Sequence, residues 1–467
     1  MDRIALDRFF EEHREEMLAD IAALIRIPSV RGESLPGKPY GEAPAQALHA
    51  AMQIAERLGF RTVSYENYAG AIDFGDLPAQ LDILAHLDVV PAGDGWSVTR
   101  PFDPVLIDGA LYGRGSSDDK GPAMAALYAM YAVKSLQVPL KRNVRLILGT
   151  DEECGSSDLE YYYSREPEAP MSFSPDADFP LINVEKGRFI PCFSAQWEDS
   201  EAMPRVCSFS AGVKVNMVPD TAQAVIEGLS KEQLEAACKQ NAAQTGVRYT
   251  LAEENGAVLI MAKGTSAHAS LPETGCNALT ALLSLVCSLP LAECRMVDCL
   301  RAVSSCFPHG DFSGRAAGIA MKDAVSGALT ASLNLLSCTR TGLSGQCDCR
   351  VPCCATEENC SRNFQRHFAE QGIETDPGVF WPAHQVPEDS PFVRTLLSCY
   401  EAVTGKKGKG AAIGGITYVH HLKNGVAFGC SFPSTDNRMH GDDEFVLVDE
   451  LMTAAKIFAL AIEALCK

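Results

Sequence analysis

The sequence predicts an α/β protein of two domains: one built on a mostly parallel mixed sheet flanked by helices, the other a large α+β domain inserted into it. Three observations predict this. Helical and strand periodicities alternate through the first 186 residues, and the pattern shifts to shorter elements after Glu185-Lys186-Gly187. Long amphipathic stretches return after the segment Pro382-Ala383-His384-Gln385-Val386-Pro387. A chain of 467 residues is also longer than one hydrophobic core usually serves. We therefore read 1–186 and 382–467 as two parts of the main domain and 187–381 as the insert.

In chain order, apolar residues at helical spacing predict an amphipathic helix over Asp7 to Ile25 and a second over Ala45 to Leu58. Leu81 to Ala85 is a short apolar run, read as a buried strand. A helix from about Pro122 to Leu136 follows, then a strand over Val144 to Gly149 that runs directly into Thr150-Asp151-Glu152-Glu153. Within the insert, Ala278 to Leu289 is the longest apolar stretch. Pro290 ends it too soon to cross a bilayer, so it reads as a buried helix. Helices near Pro391 to Thr404 and over Val448 to Leu465 return the chain to the first sheet. No internal repeat or low-complexity tract is visible.

A formal net charge of -20 repels phosphate backbones and anionic bilayers, which argues against nucleic acid and membrane surfaces as partners. Charged residues crowd the N-terminal stretch and leave no apolar block of signal-peptide length, so a cytoplasmic location is expected. The 18 cysteines are then reduced thiols used as small apolar fillers. Cys347, Cys349, Cys353, Cys354 and Cys360 cluster, but their spacing fits no common zinc knuckle, and we read them as a cysteine-rich strand.

The chemistry lies at the predicted strand ends. His86-Leu87-Asp88 closes a strand and places His86 and Asp88 on one face, a histidine ligand with a carboxylate to orient it. In open parallel sheets such ends form the ligand crevice, where Glu152 and Glu153 can join them. The glycine-rich turn Gly113 to Gly121 leads into a helix but lacks the Gly-Lys-Ser/Thr ending of a phosphate-binding loop. With Asp118 in that turn, Asp176 and His440, the set comprises two histidines and several carboxylates. That mixture of nitrogen and oxygen donors suits a pair of zinc-like divalent ions.

These segments resemble the zinc-exopeptidase family that contains aminoacylase, acetylornithine deacetylase and carnosinase, and within it the peptidase V-type dipeptidases. The likeness spans nearly the whole chain. It is carried by His86-Leu87-Asp88-Val89-Val90-Pro91, the Gly-Arg-Gly turn through Asp118, Asp151-Glu152-Glu153, Pro175-Asp176-Ala177-Asp178-Phe179-Pro180, Gly264 to Ser270, Gly414-Gly415-Ile416-Thr417-Tyr418, and Met439-His440. The resemblance implies that Asp118 bridges two ions, with His86 and Asp176 on one and Glu153 and His440 on the other. It makes Glu152 the general base and Asp88 the carboxylate that orients His86. It further implies that His268, Asn216, Arg350, Gly414 and Gly415 contact the substrate, Arg350 through the substrate carboxylate. Two departures bear on the pocket: Ile416 stands where peptidase V-type sequences have a third glycine, and His420-His421 follow as a helix-face pair.

The expected activity is hydrolysis of dipeptides with two divalent ions per chain, zinc first, with manganese or cobalt as alternatives. N-acyl amino acid deacylation by the same centre is the competing reading, and a non-catalytic metal-binding protein is a third. Acidic segments at Asp118-Asp119 and Asp176-Ala177-Asp178 favour a substrate with a free amine. Many members of the resembled family dimerise through a smaller lid, whereas peptidase V-type members carry an enlarged lid like two such units joined in one chain; the insert, about 195 residues long against roughly 100 for one small domain, matches the latter, so the resemblance implies a monomer.

Overall fold

Strands that are apolar on both sides need helices over both faces of their sheet, and the first part of the chain supplies them. The computed structural model describes residues 1–254 and 256–467. Its first unit comprises Met1–Val184, Gln385–Ala411 and Ile416–Lys467. Its helices are α1 (Arg3–Glu12), α2 (Arg14–Ile25), α3 (Glu42–Arg57), α4 (Lys120–Ser135) and α5 (Ser157–Tyr163), joined later by Pro391–Thr404 and Val448–Cys466. Its main strands are β1 (Arg61–Tyr65), β2 (Ala69–Asp73), β3 (Ala79–His86), β4 (Asn143–Gly149), β5 (Met171–Ser174) and β6 (Ile182–Glu185).

In space the sheet runs β1-β2-β4-β3-β5, then Gly425–Ala427, then β6. The four middle strands are mutually parallel, with antiparallel neighbours on either side. Every residue of β4 is buried, as is β3 from Leu81 onward. The single helix expected over Asp7 to Ile25 is two. His13 breaks it, with φ -104° and ψ 7°, where its Nδ1 lies 2.9 Å from the Phe9 carbonyl and its ring stacks on Phe9. Helix α4 packs against both α2 and Val448–Cys466 and is buried almost all round. Its alanines allow that close approach while keeping the highest helix propensity.

Parallel middle strands put His86, Gly149 and Ser174 at one edge of the sheet. The register pairs His86 with Gly149, so the turn after β4 begins beside the histidine. Deeper in the sheet, Asp82 accepts from Arg145 Nε at 2.7 Å and Nη2 at 2.8 Å, and also from Tyr163 and the Ala169 amide.

The second unit comprises Glu185–His384 and Ala412–Gly415. Its strands are β7 (Gly187–Gln196), β8 (Arg205–Ala211), β9 (Thr221–Glu227), β10 (Arg248–Glu254), β11 (Ala257–Lys263), β12 (Thr330–Thr339), β13 (Gly342–Val351) and β14 (Glu374–Trp381). Its helices are α6 (Lys231–Thr245), α7 (Ala278–Ser288), α8 (Arg295–Cys306) and α9 (Arg362–Glu370). The eight strands form one antiparallel sheet in the order β10-β11-β9-β8-β12-β13-β7-β14. The elements β7-α8-β12-β13-α9-β14 follow the βαββαβ order of a ferredoxin-like fold. The other half, β8-β9-α6-β10-β11-α7, is the same arrangement circularly permuted. The halves join where β8 pairs with β12. Cys347 and Cys349 lie in β13, whereas Cys353, Cys354 and Cys360 follow it, so the cysteine-rich strand is only the first part of that cluster.

Asp82 and Arg145 are both buried, and removing one partner strands the other charge inside the protein. Asp82→Ala should destabilise the first unit by about 3–5 kcal/mol. A denaturant midpoint equal to wild type would contradict this.

Candidate metal centre

The site is built on the turns that follow the parallel strands. His86, the last residue of β3, is fully buried. Its Nδ1 lies 3.0 Å from the Asp88 carbonyl, and its Nε2 lies 2.9 Å from Asp118 Oδ1 and 3.6 Å from Asp176 Oδ2. His440 approaches the other oxygen: its Nε2 lies 2.7 Å from Asp118 Oδ2 and 3.2 Å from Glu153 Oε1. Among the described residues, two groups can hold a metal ion, His86–Asp118–Asp176 and Asp118–Glu153–His440, with donor atoms within 4.8 Å of one another. Asp118 is common to both and offers one oxygen to each. A histidine and two carboxylates per group is a donor set that zinc-like divalent ions accept, so the residues fit the implied pair of ions.

Other carboxylates place these groups. Glu444, fully buried, accepts from the backbone amides of Gly115 at 3.1 Å, Ser117 at 2.9 Å and Asp118 at 3.2 Å, and from the Arg114 guanidinium. It thereby holds the turn that carries Asp118. Asp119 is buried as well, and its Oδ2 accepts from the His86 amide at 3.0 Å. The acceptor for a substrate amine that its sequence suggests is thus turned inward, and of the two acidic segments only Asp178 presents an exposed side chain.

Asp88 meets His86 and a second partner as well. Its carboxylate oxygen lies 3.5 Å from His86 Nδ1, while its two oxygens accept from the amides of Glu152 at 3.2 Å and Glu153 at 3.1 Å. Both the carbonyl and the carboxylate of Asp88 thus face the ring nitrogen, and the carboxylate also anchors the short 3-10 turn Glu152–Cys154. Behind that turn, Asp158 Oδ2 accepts from the amides of Thr150 at 2.6 Å and Asp151 at 2.9 Å and from the Tyr418 hydroxyl at 2.5 Å. Tyr418 in turn sets its ring edge-on to His86. A Cβ at Gly149 would lie 1.9 Å from the Tyr418 oxygen, which is why that position carries no side chain.

Crowding shifts the protonation equilibria. Burial pulls His86 down, but Asp118, Asp176 and Asp88 outweigh it and hold its imidazolium well above the ordinary range. Contacts with Asp118 and Glu153, opposed by burial, push His440 up to about 11. Burial raises Asp118, but His440 and His86 overcome it and hold this carboxyl well below its usual range. Burial, with Asp118 beside it, lifts Glu153 to about 6. Glu152 rises well above the ordinary value, first through burial and then through Asp176, Glu153 and Asp118, against the pull of His86.

The second unit gathers the residues expected to touch substrate. The strand pair Met217–Val218 with Ala267–His268 places Asn216 beside His268, and the Ala269 amide donates to the Asn216 carbonyl at 2.9 Å. His268 Nδ1 lies 2.6 Å from Ser270 Oγ. A Cβ at Gly414 would lie 2.9 Å from the Ser270 Cβ, so the glycine allows close approach there, and Gly415 follows in open surroundings. Arg350 donates to the Gly414 carbonyl at 2.8 Å and, through Nε at 2.7 Å and Nη2 at 3.1 Å, to Asp348. The planar fork that would clasp a substrate carboxylate is thus engaged by Asp348. His420 and His421 lie in a 3-10 turn, Tyr418–His421, and in neither of the two metal-capable groups.

Glu444, Asp158, Asp348 and Ser270 carry no role read from the sequence. Glu444, four residues after His440, had a positional hint; Asp158 and Asp348 had none.

Comparison with known proteins adds the family. The sequence model described as Peptidase family M20/M25/M40 matches residues 83–464. The chain is 36% identical over 462 residues to YtjP of Bacillus subtilis (strain 168), covering 97% of this chain and 98% of that protein. It is 33% identical over 466 residues to the Beta-Ala-Xaa dipeptidase of Lactobacillus delbrueckii subsp. lactis, covering 98% and 97%. Among solved structures, human carnosine dipeptidase 1 superposes with a TM-score of 0.60 at 16% identity, covering 99% of this chain and 98% of that one.

Both histidines must lose their protons to bind ions, and the carboxylates beside them favour the protonated form of each, raising His86 well above its ordinary value and His440 to about 11. Zinc added to the chelated protein at pH 7 should release about two protons or more, and affinity should rise with pH through this range. Calorimetry in buffers of different ionisation heat measures the release; binding without it would refute the assignment of these ligands.

Proposed function

The chain belongs to peptidase family M20/M25/M40, and from that membership we propose that it is a dinuclear metallo-dipeptidase. Asp118 carries the reading: its two oxygens face two separate histidine–carboxylate groups, the arrangement a bridging ligand requires. We assign His86, Asp118 and Asp176 to one ion and Asp118, Glu153 and His440 to the other, with zinc preferred and manganese or cobalt as substitutes. Ions held there would polarise the scissile carbonyl and lower the pKa of water toward about 7.

Glu152 is the general base in this reading. Its raised proton affinity suits a group that takes a proton from the attacking water and returns it to the leaving amine. Asp88 fixes the turn from which Glu152 projects. Of the second unit, Asn216, His268, Gly414 and Gly415 are assigned to substrate contacts. Arg350 keeps its assignment to the substrate carboxylate, through guanidinium N–H groups beyond the three bonded to Asp348 and Gly414. Two ferredoxin-like halves within one chain support a monomer. All 18 cysteines are free thiols, which supports a reducing, cytoplasmic setting. Among the described residues no helix is long and apolar enough to cross a membrane.

N-acyl amino acid deacylation remains the second reading, because the burial of Asp119 removes one of the two acidic segments that favoured a free amine. A substrate panel separates the two: dipeptides should be cleaved, and N-acyl amino acids, amidated dipeptides and tripeptides should not. Glu152→Gln should retain two metal equivalents while kcat falls about 10²-fold or more. Wild-type turnover in that variant would remove Glu152 from the mechanism.

A further inference from the structure

We propose that Ser270 is a positioning residue that fixes the tautomer of His268, presenting the imidazole to substrate as an Nε2–H donor and not as a base. Two contacts carry the inference. Ser270 Oγ lies 2.6 Å from His268 Nδ1, and the Ser270 backbone amide points at the same nitrogen at 3.3 Å. A hydroxyl can donate or accept, so the first contact alone leaves the tautomer open. A backbone N–H can only donate. Nδ1 must therefore present its lone pair, and in a neutral imidazole the proton then resides on Nε2.

The rest of the segment holds this arrangement in place. His268 is exposed, and the Ser270 contacts at Nδ1 orient its ring. Its backbone is pinned on both sides, by the pairing of Met217 with His268 and by the Leu271 amide donating to the His268 carbonyl at 3.0 Å. The Thr330 hydroxyl reaches the Ser270 carbonyl at 3.5 Å, and the Ser270 side chain packs where Gly414 has no Cβ. Ser270 thus ties the ring of His268 to the backbone that also receives Arg350 at Gly414. The role of the Nε2 proton rests on the dipeptidase reading: it would donate to the carbonyl oxygen as negative charge develops there, which a nitrogen bearing only a lone pair could not do.

The test is nitrogen NMR on full-length, ¹⁵N-histidine-labelled protein saturated with Zn²⁺, with the His268 signals identified by their loss in His268→Gln. In the wild type, His268 should show an unprotonated Nδ1 and a protonated Nε2. Ser270→Ala removes the hydroxyl. With the backbone amide still in place it should admit the other tautomer only in part, and it should lower kcat about tenfold, the effect of one lost hydrogen bond, with little change in KM. Ser270→Thr should restore both. A protonated Nδ1 in the wild type overturns the proposal, as does a Ser270→Ala spectrum identical to wild type. The wild-type spectrum decides the tautomer even if Ser270→Ala fails to fold. If wild-type protein cleaves no dipeptide but shows the Nε2–H form, the functional reading fails while the tautomer assignment stands.

Discussion

Asp118, Asp176, Glu152 and Glu153 converge on one edge of a sheet, and four carboxylates so close and so buried cannot all ionise without cations among them. Much of the surrounding structure answers that constraint. The two imidazoles take up protons, Glu152 and Glu153 are driven toward their neutral forms, and Asp118 alone is held firmly ionised because a histidine faces each of its oxygens. Two divalent ions would relieve the same repulsion while displacing the histidine protons. Stability of the site and affinity for cations are thus two expressions of one electrostatic imbalance.

Holding mutually repelling groups together takes a scaffold. Three further carboxylates provide it by binding backbone amides: Glu444 those of the Asp118 turn, Asp88 those of Glu152 and Glu153, and Asp158 those of Thr150 and Asp151. Each turn at the strand ends would otherwise leave N–H groups unpaired in a buried place, which is costly. An acid from elsewhere in the chain satisfies them and fixes the turn at once.

This arrangement explains what was legible in the sequence. The candidate site residues could be read because His86 ends the apolar strand β3 and Glu152 and Glu153 follow β4, while Asp118 and His440 lie in the local signals Gly-Arg-Gly and Met439-His440. The helices read from periodicity are present, but the first begins at Arg3 and the second at Glu42, earlier than their apolar pattern, and at His13 a side-chain contact with the backbone breaks a pattern that looks continuous; α5, α6, α8 and α9 were not read. The supporting acids could not be read. Glu444 lies 326 residues from Asp118 and Asp88 lies 64 from Glu152, and neither spacing leaves a trace in the local pattern. Proximity in sequence points Asp88 to His86, which its carboxylate does face; its second contact, with the amides of the neighbouring turn, leaves no such signal. Arg350 was assigned by its fork, and its neighbour two residues earlier in β13, Asp348, takes that fork.

The second unit follows the same logic with weaker charges. Its ferredoxin-like halves were hidden from sequence comparison within the chain because one is circularly permuted, so equivalent strands do not recur in the same order. The insertion of the permuted half between β7 and α8 brings the Asn216 to Ser270 segment into the same unit as β13 and Gly414. There a tight glycine, a serine and a buried arginine join three segments that lie far apart in the chain. In the first unit backbone amides are matched to carboxylates; in this one an amide and a hydroxyl lie against the His268 Nδ1. Under the proposed function, the difference follows from the chemistry each would support. Ligands for cations have to be anionic or unprotonated, whereas a group that stabilises developing negative charge has to keep its proton, and only a fixed tautomer guarantees that the proton faces the right way.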